Sequence, residues 1–199
     1  MTRFKKIKLN ELLSVDGGII KTKTFTKNGF TNRDINYLLR EGVLEKIKQG
    51  HYIEKELDVS DMEIVTKLIP MGVLCLFSAI EYYELATVNP SAICVALPRG
   101  VTCPTLPYNF FVQIYHMTSL HFDAGITEVG ASKTMLRMYD VEKTVCDCFK
   151  YDNEVEKGIA LEVLKNYLAK GNCNVQKLLE YAKLLGKKKI IFPYVEALI

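Results

Sequence analysis

The stretch that decides the fold of the N-terminal part is residues 29–53, which read GFTNRDINYLLREGVLEKIKQGHYI. Thr31 suits the N-cap of a helix, and Asp34, three residues later, completes an approximate capping box. Glycine readily adopts the left-handed conformation in which many helices end. The stretch therefore predicts a helix over residues 32–41 that is stopped by Gly42.

The second half of the stretch, residues 43–53, predicts a short β-hairpin. Its residues alternate between apolar and polar, as Ile47 and Lys48 do. Gln49-Gly50 lies between the two runs and supplies a tight turn. Residues 29–53 are thus predicted to form a capped helix followed by a hairpin.

The predicted helix has two different faces. At about 100° per residue, Ile35, Leu38 and Leu39 fall on one side and suit a small core. The residues on the roughly opposite side are Arg33, Asn36, Tyr37 and Arg40. Arginine can pair bidentately with guanine and asparagine with adenine, while tyrosine and arginine also contact phosphates. This second face therefore carries the side chains expected of a DNA-reading helix.

The order of upstream helical segments, this helix and a hairpin is typical of a winged helix-turn-helix, in which the third helix enters the major groove. The hairpin, or wing, then lies along the DNA backbone. The residues expected near the backbone are Lys21, Lys23, Lys27, Lys46, Lys48, Gln49 and His51, and Thr31 and Asn32 complete the predicted DNA-binding set. Two alternatives stay open: an ordinary structural unit with a solvated polar face, and a winged helix that binds protein.

Charge is distributed unevenly along the chain. The 199 residues have a formal net charge of +3, yet residues 1–55 contain twelve Lys or Arg and only six Asp or Glu. Such asymmetry favours a polyanionic partner for the N-terminal part. We accordingly predict an α+β protein with a winged helix-turn-helix domain at residues 1–56 and a mixed α/β domain at residues 57–199.

The second predicted domain combines a small sheet with a helical tail. Ser60 with Glu63, and Ser78 with Glu81, have capping-box spacing and predict helices over residues 61–69 and from 79 to about 85. The predicted strands are 73–77, 92–97, 109–117 and 134–139, followed by a helix over 141–149 capped by Asp140 and two amphipathic helices that end near Gly171 and at Gly186.

Several classes of protein are disfavoured by the sequence. The longest apolar run is too short to span a bilayer, and the N-terminus lacks the apolar region of a secretory signal, so we expect a cytoplasmic protein. Six cysteines without a C-x-x-C pair favour reduced, buried or half-buried thiols and no metal site. Without an E-x-K, P-loop or G-x-G-x-x-G motif, we expect no catalytic residues and no cofactor.

The ordered motifs of the chain resemble those of the AbiEi-type antitoxins of type IV toxin–antitoxin (abortive infection) systems, which are also transcriptional regulators. The wing pattern of that family is matched at Gly42, Leu44, Lys46, Ile47, Gly50 and Tyr52. Further matching segments are CLFSAIEYYEL, NPSAICVALPRG and MLRMYDVEKTVCDCF, and Ile80 replaces the usual leucine of S-A-L. The resemblance spans most of residues 9–150.

This resemblance implies a DNA-binding autorepressor that binds operator repeats in double-stranded DNA of its own promoter. It also implies a C-terminal domain that counteracts a nucleotidyltransferase-type toxin without forming a stable complex with it. The alternative is a winged-helix regulator whose C-terminal domain binds a ligand or partner and has no antitoxin role. A second basic face is a further candidate, formed by Arg99, Lys133, Arg137, Lys187, Lys188 and Lys189; a solvated surface is the alternative.

Overall fold

The computed structural model describes residues 3–15, 18–107, 109–130 and 135–199. Within these ranges the chain forms ten helices and eight strands in two small sheets, which confirms the predicted α+β class at that coarse level. The residues form two compact units. The first comprises the described parts of Met1–Leu68, Thr105–Phe110 and Gly130–Met135, and the second those of Ile69–Pro104, Phe111–Val129 and Leu136–Ile199. The boundary at residues 56 and 57 remains a prediction.

The first unit consists of four helices and a three-stranded antiparallel sheet. Its elements are α1 (Arg3–Val15), β1 (Ile19–Lys21), α2 (Thr22–Lys27), α3 (Asn32–Arg40), β2 (Leu44–Lys48), β3 (His51–Glu54) and α4 (Asp61–Leu68). The sheet order is β1-β3-β2, with Ile20 opposite Tyr52 and Leu44 opposite Glu54. Helix α1 is one of the upstream helical segments expected from the sequence, and its Leu9 and Leu13 are buried.

Local signals account for α3 and the hairpin. The Thr31 side chain accepts the Asp34 backbone N–H, and the Asp34 side chain accepts the Thr31 backbone N–H, so the predicted capping box is confirmed. Gly42 has φ of 69° after the helix, and Gly50 has φ of 78° in the hairpin turn. Both values lie in the left-handed region that glycine adopts without a steric penalty.

The core of the first unit is built by the apolar faces of these elements. Phe25 is fully buried, and its ring packs edge-on against Phe30 and Tyr52 with centroids 5.4 and 6.0 Å away. Ile35 and Leu38 close the core from α3, at 2% and 1% exposure. The predicted orientation of α3, with its apolar side inward, is thereby confirmed.

The second unit contains a five-stranded mixed sheet and a helical C-terminal part. Its elements are β4 (Val73–Leu74), α5 (Leu76–Tyr82), β5 (Ile93–Pro98), β6 (Val112–Met117), α6 (Ser119–Asp123), β7 (Ile126–Gly130), β8 (Met135–Tyr139), α7 (Val141–Lys150), α8 (Lys157–Ala169), α9 (Val175–Leu184) and α10 (Lys188–Leu198). The strand order is β6-β5-β4-β8-β7; β4 pairs antiparallel with β5 and parallel with β8, and β5 pairs parallel with β6.

One predicted cap in the second unit is wrong. The strand expected over residues 73–77 stops at Leu74, and α5 already begins at Leu76, so Ser78 lies inside the helix rather than at its start. Ser78 is fully buried, and its hydroxyl accepts the backbone N–H of Cys94 at 2.8 Å. The serine therefore joins α5 to the start of β5, a role that helix-cap spacing does not indicate.

Other predictions for the second unit differ in extent. Asp140 caps α7 by accepting the Lys143 backbone N–H at 2.8 Å, as expected. The two amphipathic helices are confirmed as α8 and α9, whereas α6, β7 and α10 were not predicted. Pro193 lies within α10 and obscures that helix in the sequence. None of the helices in the described ranges has the length and apolar character needed to cross a membrane.

Candidate nucleic-acid interface

The candidate interface starts from the outer face of α3. Arg33, Asn36, Tyr37 and Arg40 are all exposed, while the opposite face of the helix is buried in the core. Tyr37 is 40% exposed although it is a large aromatic residue. An exposed tyrosine between two arginines is available for contact with a partner without any change in the core.

A cleft of about 370 Å³ lies between α3, the β2–β3 hairpin and the start of α2. Its lining residues are Thr22, Asn32, Ile35, Asn36, Leu39, Lys46, Gln49 and Tyr52. The fold thus brings Asn32 and Asn36 of the helix together with Lys46 and Gln49 of the hairpin. These four residues were predicted separately as DNA contacts, and hydrogen-bonding groups from both elements now border one cleft.

The hairpin turn is held by contacts at both ends. Lys46 Nζ donates to Gln49 Oε1 at 2.7 Å, and the Thr22 backbone N–H donates to the Gly50 carbonyl at 2.9 Å. A register shift between Lys46 and Lys48 marks an irregularity just before the turn. The turn is therefore fixed to the start of α2 while Lys46 and Gln49 stay exposed.

Lys48 and His51 differ from the other predicted wing residues. Lys48 Nζ donates to the carbonyl oxygen of Thr105 at 3.1 Å, so its ammonium group already has a partner in the same unit. Burial lowers the pKa of His51, and the neighbouring Lys48 and Lys21 lower it further. This shift favours the neutral imidazole, which can offer a phosphate a hydrogen bond.

An ion pair that the sequence did not reveal neutralises the acid beside the outer face. Lys5 Nζ contacts Asp34 Oδ2 at 2.6 Å, although the two residues are 29 positions apart. The hydrogen bond from Lys5 and those from Thr31 hold the pKa of Asp34 well below its usual range. The carboxylate is thus ionised and paired, which limits its repulsion of an anionic partner.

The remaining predicted cations lie at the end of β1 and on α2. Lys21 ends β1, and Lys23 and Lys27 lie on α2; all three are exposed. Thr31 is exposed too, but its hydroxyl is used in the cap of α3. Of the predicted DNA-binding set, Asn32 and Asn36 of α3 therefore meet Lys46 and Gln49 at the cleft. The other predicted residues of α3, which are Arg33, Tyr37 and Arg40, are exposed but do not line it.

The second basic face is distributed over several elements. Arg99 is exposed just after β5, Arg137 on β8 lies over the Phe122 ring at 5.9 Å, and Lys187 pairs with Asp152 at 3.0 Å. Lys188 and Lys189 are exposed at the start of α10. Lys133 lies outside the described residues. Because Lys187 and Arg137 already have partners, we give this set no role.

The second unit contains a buried ionic cluster that sequence reasoning missed. Lys143 and Asp147, at 0% and 1% exposure, pair at 2.6 Å, and Lys143 Nζ lies 4.1 Å from the centroid of the Tyr139 ring. Nearby, the Tyr167 hydroxyl donates to Glu142 at 3.0 Å, and Lys177 pairs with both Asp140 and Glu142. The i,i+4 spacing of Lys143 and Asp147 was the available signal.

The cysteines lie in the second unit and do not form a metal site there. Cys75, Cys94, Cys146 and Cys148 are buried, whereas Cys103 and Cys173 are half-buried. Burial raises the pKa of Cys75, Cys94, Cys146 and Cys148. Over the part of the chain that the structure describes, no three His, Cys, Asp or Glu residues are arranged to hold a metal ion.

Comparison with known proteins bears on the fold only. The sequence matches no protein-family model and no curated protein. Among solved structures, it is similar to the crystal structure of the RV2827C protein from Mycobacterium tuberculosis, with a TM-score of 0.62 and 14% sequence identity. That alignment covers 100% of this chain and 81% of the other. At such low identity the likeness extends to the arrangement of helices and strands, not to activity.

Proposed function

We propose that the chain is a DNA-binding transcriptional autorepressor and the antitoxin of a type IV toxin–antitoxin system. The observation that carries the DNA-binding part is the cleft where Asn32 and Asn36 of α3 meet Lys46 and Gln49 of the hairpin, beside the exposed Arg33, Tyr37 and Arg40. We interpret α1, α2, α3 and the β2–β3 hairpin as a winged helix-turn-helix in which α3 is the recognition helix and the hairpin is the wing.

In the proposed complex, α3 lies in the major groove of the operator. Arg33 and Arg40 each suit a guanine, because their guanidinium groups can donate two hydrogen bonds to its O6 and N7 atoms. Asn36, between them on the same face, suits an adenine. Tyr37 extends beside them and suits a phosphate, so the face combines base readout with positioning.

The wing and α2 supply contacts that do not depend on base sequence. Lys46 lies at the rim of the cleft with Gln49 as its hydrogen-bond partner, and Lys21 and Lys23 are exposed on β1 and α2. Each phosphate that such a lysine neutralises releases counterions from the DNA. The proposal therefore includes affinity that falls steeply as the salt concentration rises.

The antitoxin part of the proposal is supported by the resemblance to AbiEi-type antitoxins. The second unit would counteract a nucleotidyltransferase-type toxin in the cytoplasm, without a stable complex between the two proteins. Its compact core and buried Lys143–Asp147 pair are compatible with a rigid effector domain. Co-expression with the product of an adjacent nucleotidyltransferase-like gene tests this part: growth should be restored only when this chain is present.

A second candidate function is a winged-helix regulator without an antitoxin role, whose second unit binds a ligand. A cavity of about 540 Å³ in that unit favours it. The two candidates share the DNA-binding part and differ in the co-expression test. If growth inhibition by the adjacent gene product persists beside this chain, the regulator alone is supported.

The DNA-binding part predicts that the purified protein shifts its own promoter fragment. The double variant Arg33→Ala/Arg40→Ala should weaken this binding by about thirtyfold or more, since each bidentate base contact contributes roughly 1–3 kcal/mol. Mobility shift at several salt concentrations is the measurement. The matched control is Lys165→Ala/Lys183→Ala, which removes two positive charges from exposed positions of α8 and α9. Equal binding by the two double variants would contradict the assignment of the α3 face.

A further inference from the structure

The cavity in the second unit lies between a loop, two neighbouring strands and the region around the start of α8. It has a volume of about 540 Å³, within the range of roughly 300–1,000 Å³ usual for small-molecule sites. The residues that line it are Phe77, Thr87, Val88, Asn89, Pro90, Ser91, Ala92, Cys94, Gln113, Tyr115, Glu154 and Ile159. None of them belongs to the proposed DNA interface, so the cavity is a separate feature of the second unit.

The walls of the cavity are fixed by hydrogen bonds. Asn166 Nδ2 on α8 donates to the Leu85 carbonyl at 2.9 Å, and Lys170 Nζ donates to the Tyr83 carbonyl at 2.6 Å. These bonds anchor the chain just before the loop of residues 87–92. At the far end of that loop, Ser78 accepts the Cys94 backbone N–H. Both ends of the loop are therefore fixed to the rest of the unit.

The charge of the lining is negative. Glu154 is exposed, and one of its oxygens accepts a hydrogen bond from the Tyr115 hydroxyl at 3.4 Å. That bond is long, and a carboxylate can accept several more. The lining contains no Lys, Arg or His. A phosphate or carboxylate ligand would thus meet repulsion from Glu154 without a compensating cation, whereas a positively charged group would be attracted.

Aromatic and apolar side chains surround this carboxylate. Tyr115 is 9% exposed and Phe77 is half-buried, and Val88 and Ile159 add aliphatic surface. Aromatic rings attract organic cations through their negative faces, and apolar walls favour an apolar ligand body. A bare divalent metal ion does not fit, because it requires several oxygen ligands and Glu154 is the single carboxylate of the lining.

We propose that this cavity, the Glu154 pocket, binds a small organic cation in which an ammonium or amidinium group is attached to an aromatic body. The cationic group donates to the Glu154 carboxylate beside the Tyr115 hydroxyl. The aromatic body packs against Phe77, Val88 and Ile159. Gln113 and Asn89 offer amide groups to polar substituents of the ligand.

A matched pair of probes tests the charge requirement. Tyramine and tyrosol share the same phenol and two-carbon chain, but tyramine ends in an ammonium group and tyrosol in a hydroxyl. Titration of the full-length protein, followed by calorimetry and by amide shifts in NMR spectra, should show saturable binding of tyramine. Tyrosol should bind at least tenfold more weakly, and the shifts should centre on residues 87–92 and 113–115. No DNA is present, so the outcome is independent of the proposed repressor function.

Two variants locate the effect. Glu154→Gln keeps the size of the side chain and should remove the preference for tyramine over tyrosol. Glu196→Gln, an exposed residue of α10 outside the lining, should keep that preference. The proposal is overturned if neither probe binds at concentrations up to about 10 mM, if both bind equally, if Glu154→Gln retains the preference, or if the shifts map elsewhere.

Discussion

Asp34 has two roles in α3: it caps the start of the helix, and it pairs with a lysine beside the outer face of the helix. Its Oδ2 atom accepts hydrogen bonds from Lys5 Nζ at 2.6 Å, from the Thr31 hydroxyl at 2.7 Å and from the Thr31 backbone N–H at 2.8 Å. All three favour the ionised carboxylate, and the contact with Lys5 is the largest cause of the lowered pKa. One side chain thus stabilises the helix terminus and binds α1 to α3.

A pH dependence of stability follows from Asp34. Because its folded-state pKa lies below the unfolded value of about 4, ionised Asp34 stabilises the fold above that pH, and this contribution is lost as the pH falls further. Asp34→Asn should lower the free energy of unfolding near pH 7. It should also make that free energy fall less steeply as the pH decreases, as measured by urea unfolding from pH 7 to 2. Asp58→Asn, an exposed acid of the same unit, is the control. Parallel profiles for Asp34→Asn and the parent would refute this role.

The Lys143–Asp147 pair predicts non-additive effects. Lys143→Met leaves a buried carboxylate without its partner, which costs about 3–5 kcal/mol. The double variant Lys143→Met/Asp147→Leu removes both charges and should recover much of that loss. The free energy of unfolding, measured for both single variants and the double variant, gives the coupling. Simple addition of the two single losses would show that the charges do not act as a pair.

At the scale of elements, a change from glycine to alanine should have opposite effects on stability in the hairpin turn and in helix α8. Gly50 has φ of 78°, whereas Gly158 lies within α8 with no atom within 4 Å of an added Cβ. Gly50→Ala should therefore cost about 1 kcal/mol through the unfavourable φ. Gly158→Ala should add about 0.5–1 kcal/mol, because alanine loses less conformational entropy in a helix. Thermal unfolding should show a lower melting temperature for Gly50→Ala and a higher one for Gly158→Ala. A stabilised Gly50→Ala variant would contradict the turn conformation.

Elements with strong signals at their ends were predicted best. The cap of α3, the capping box of Ser60 and Glu63 before α4, and Asp140 before α7 all act within three residues. The elements that were missed lack such signals or contain a misleading one, such as Pro193 in α10. Ser78 is the opposite case: its spacing from Glu81 predicted a helix cap, but its hydroxyl is buried and accepts the Cys94 backbone N–H instead.

At the scale of the whole molecule, one buried cluster of the first unit, around Phe25, lies within the predicted 1–56 domain, while Ile64, Val65 and Leu68 of α4 are buried beyond it. The buried members of this cluster run from Leu9 to Tyr52. Leu57, just beyond the predicted boundary, packs against Gly18, because an added Cβ at Gly18 would collide with the Leu57 side chain at 1.9 Å. A fragment of residues 1–58 therefore retains both the cluster and this contact.

This fragment is expected to fold by itself, with a stability of only a few kcal/mol because small domains bury little surface. A dispersed NMR spectrum and one cooperative urea transition are the expected results. Phe25→Ala in the same fragment should abolish the transition, since truncating a buried phenylalanine costs about 3–5 kcal/mol. A collapsed spectrum for the parent fragment would contradict the predicted domain boundary.

The sequence by itself determined the features that depend on neighbouring residues: the cap and two faces of α3, the Gln49-Gly50 turn and the amphipathic helices α8 and α9. These follow from hydrogen bonds and periodicities within a few positions. Only the tertiary structure decided which distant residues meet. It paired Lys5 with Asp34 across 29 positions, joined Lys177 to Asp140 and Glu142, and assembled the Glu154 pocket from several separate segments. Such contacts depend on how the elements pack, and no local pattern specifies that packing.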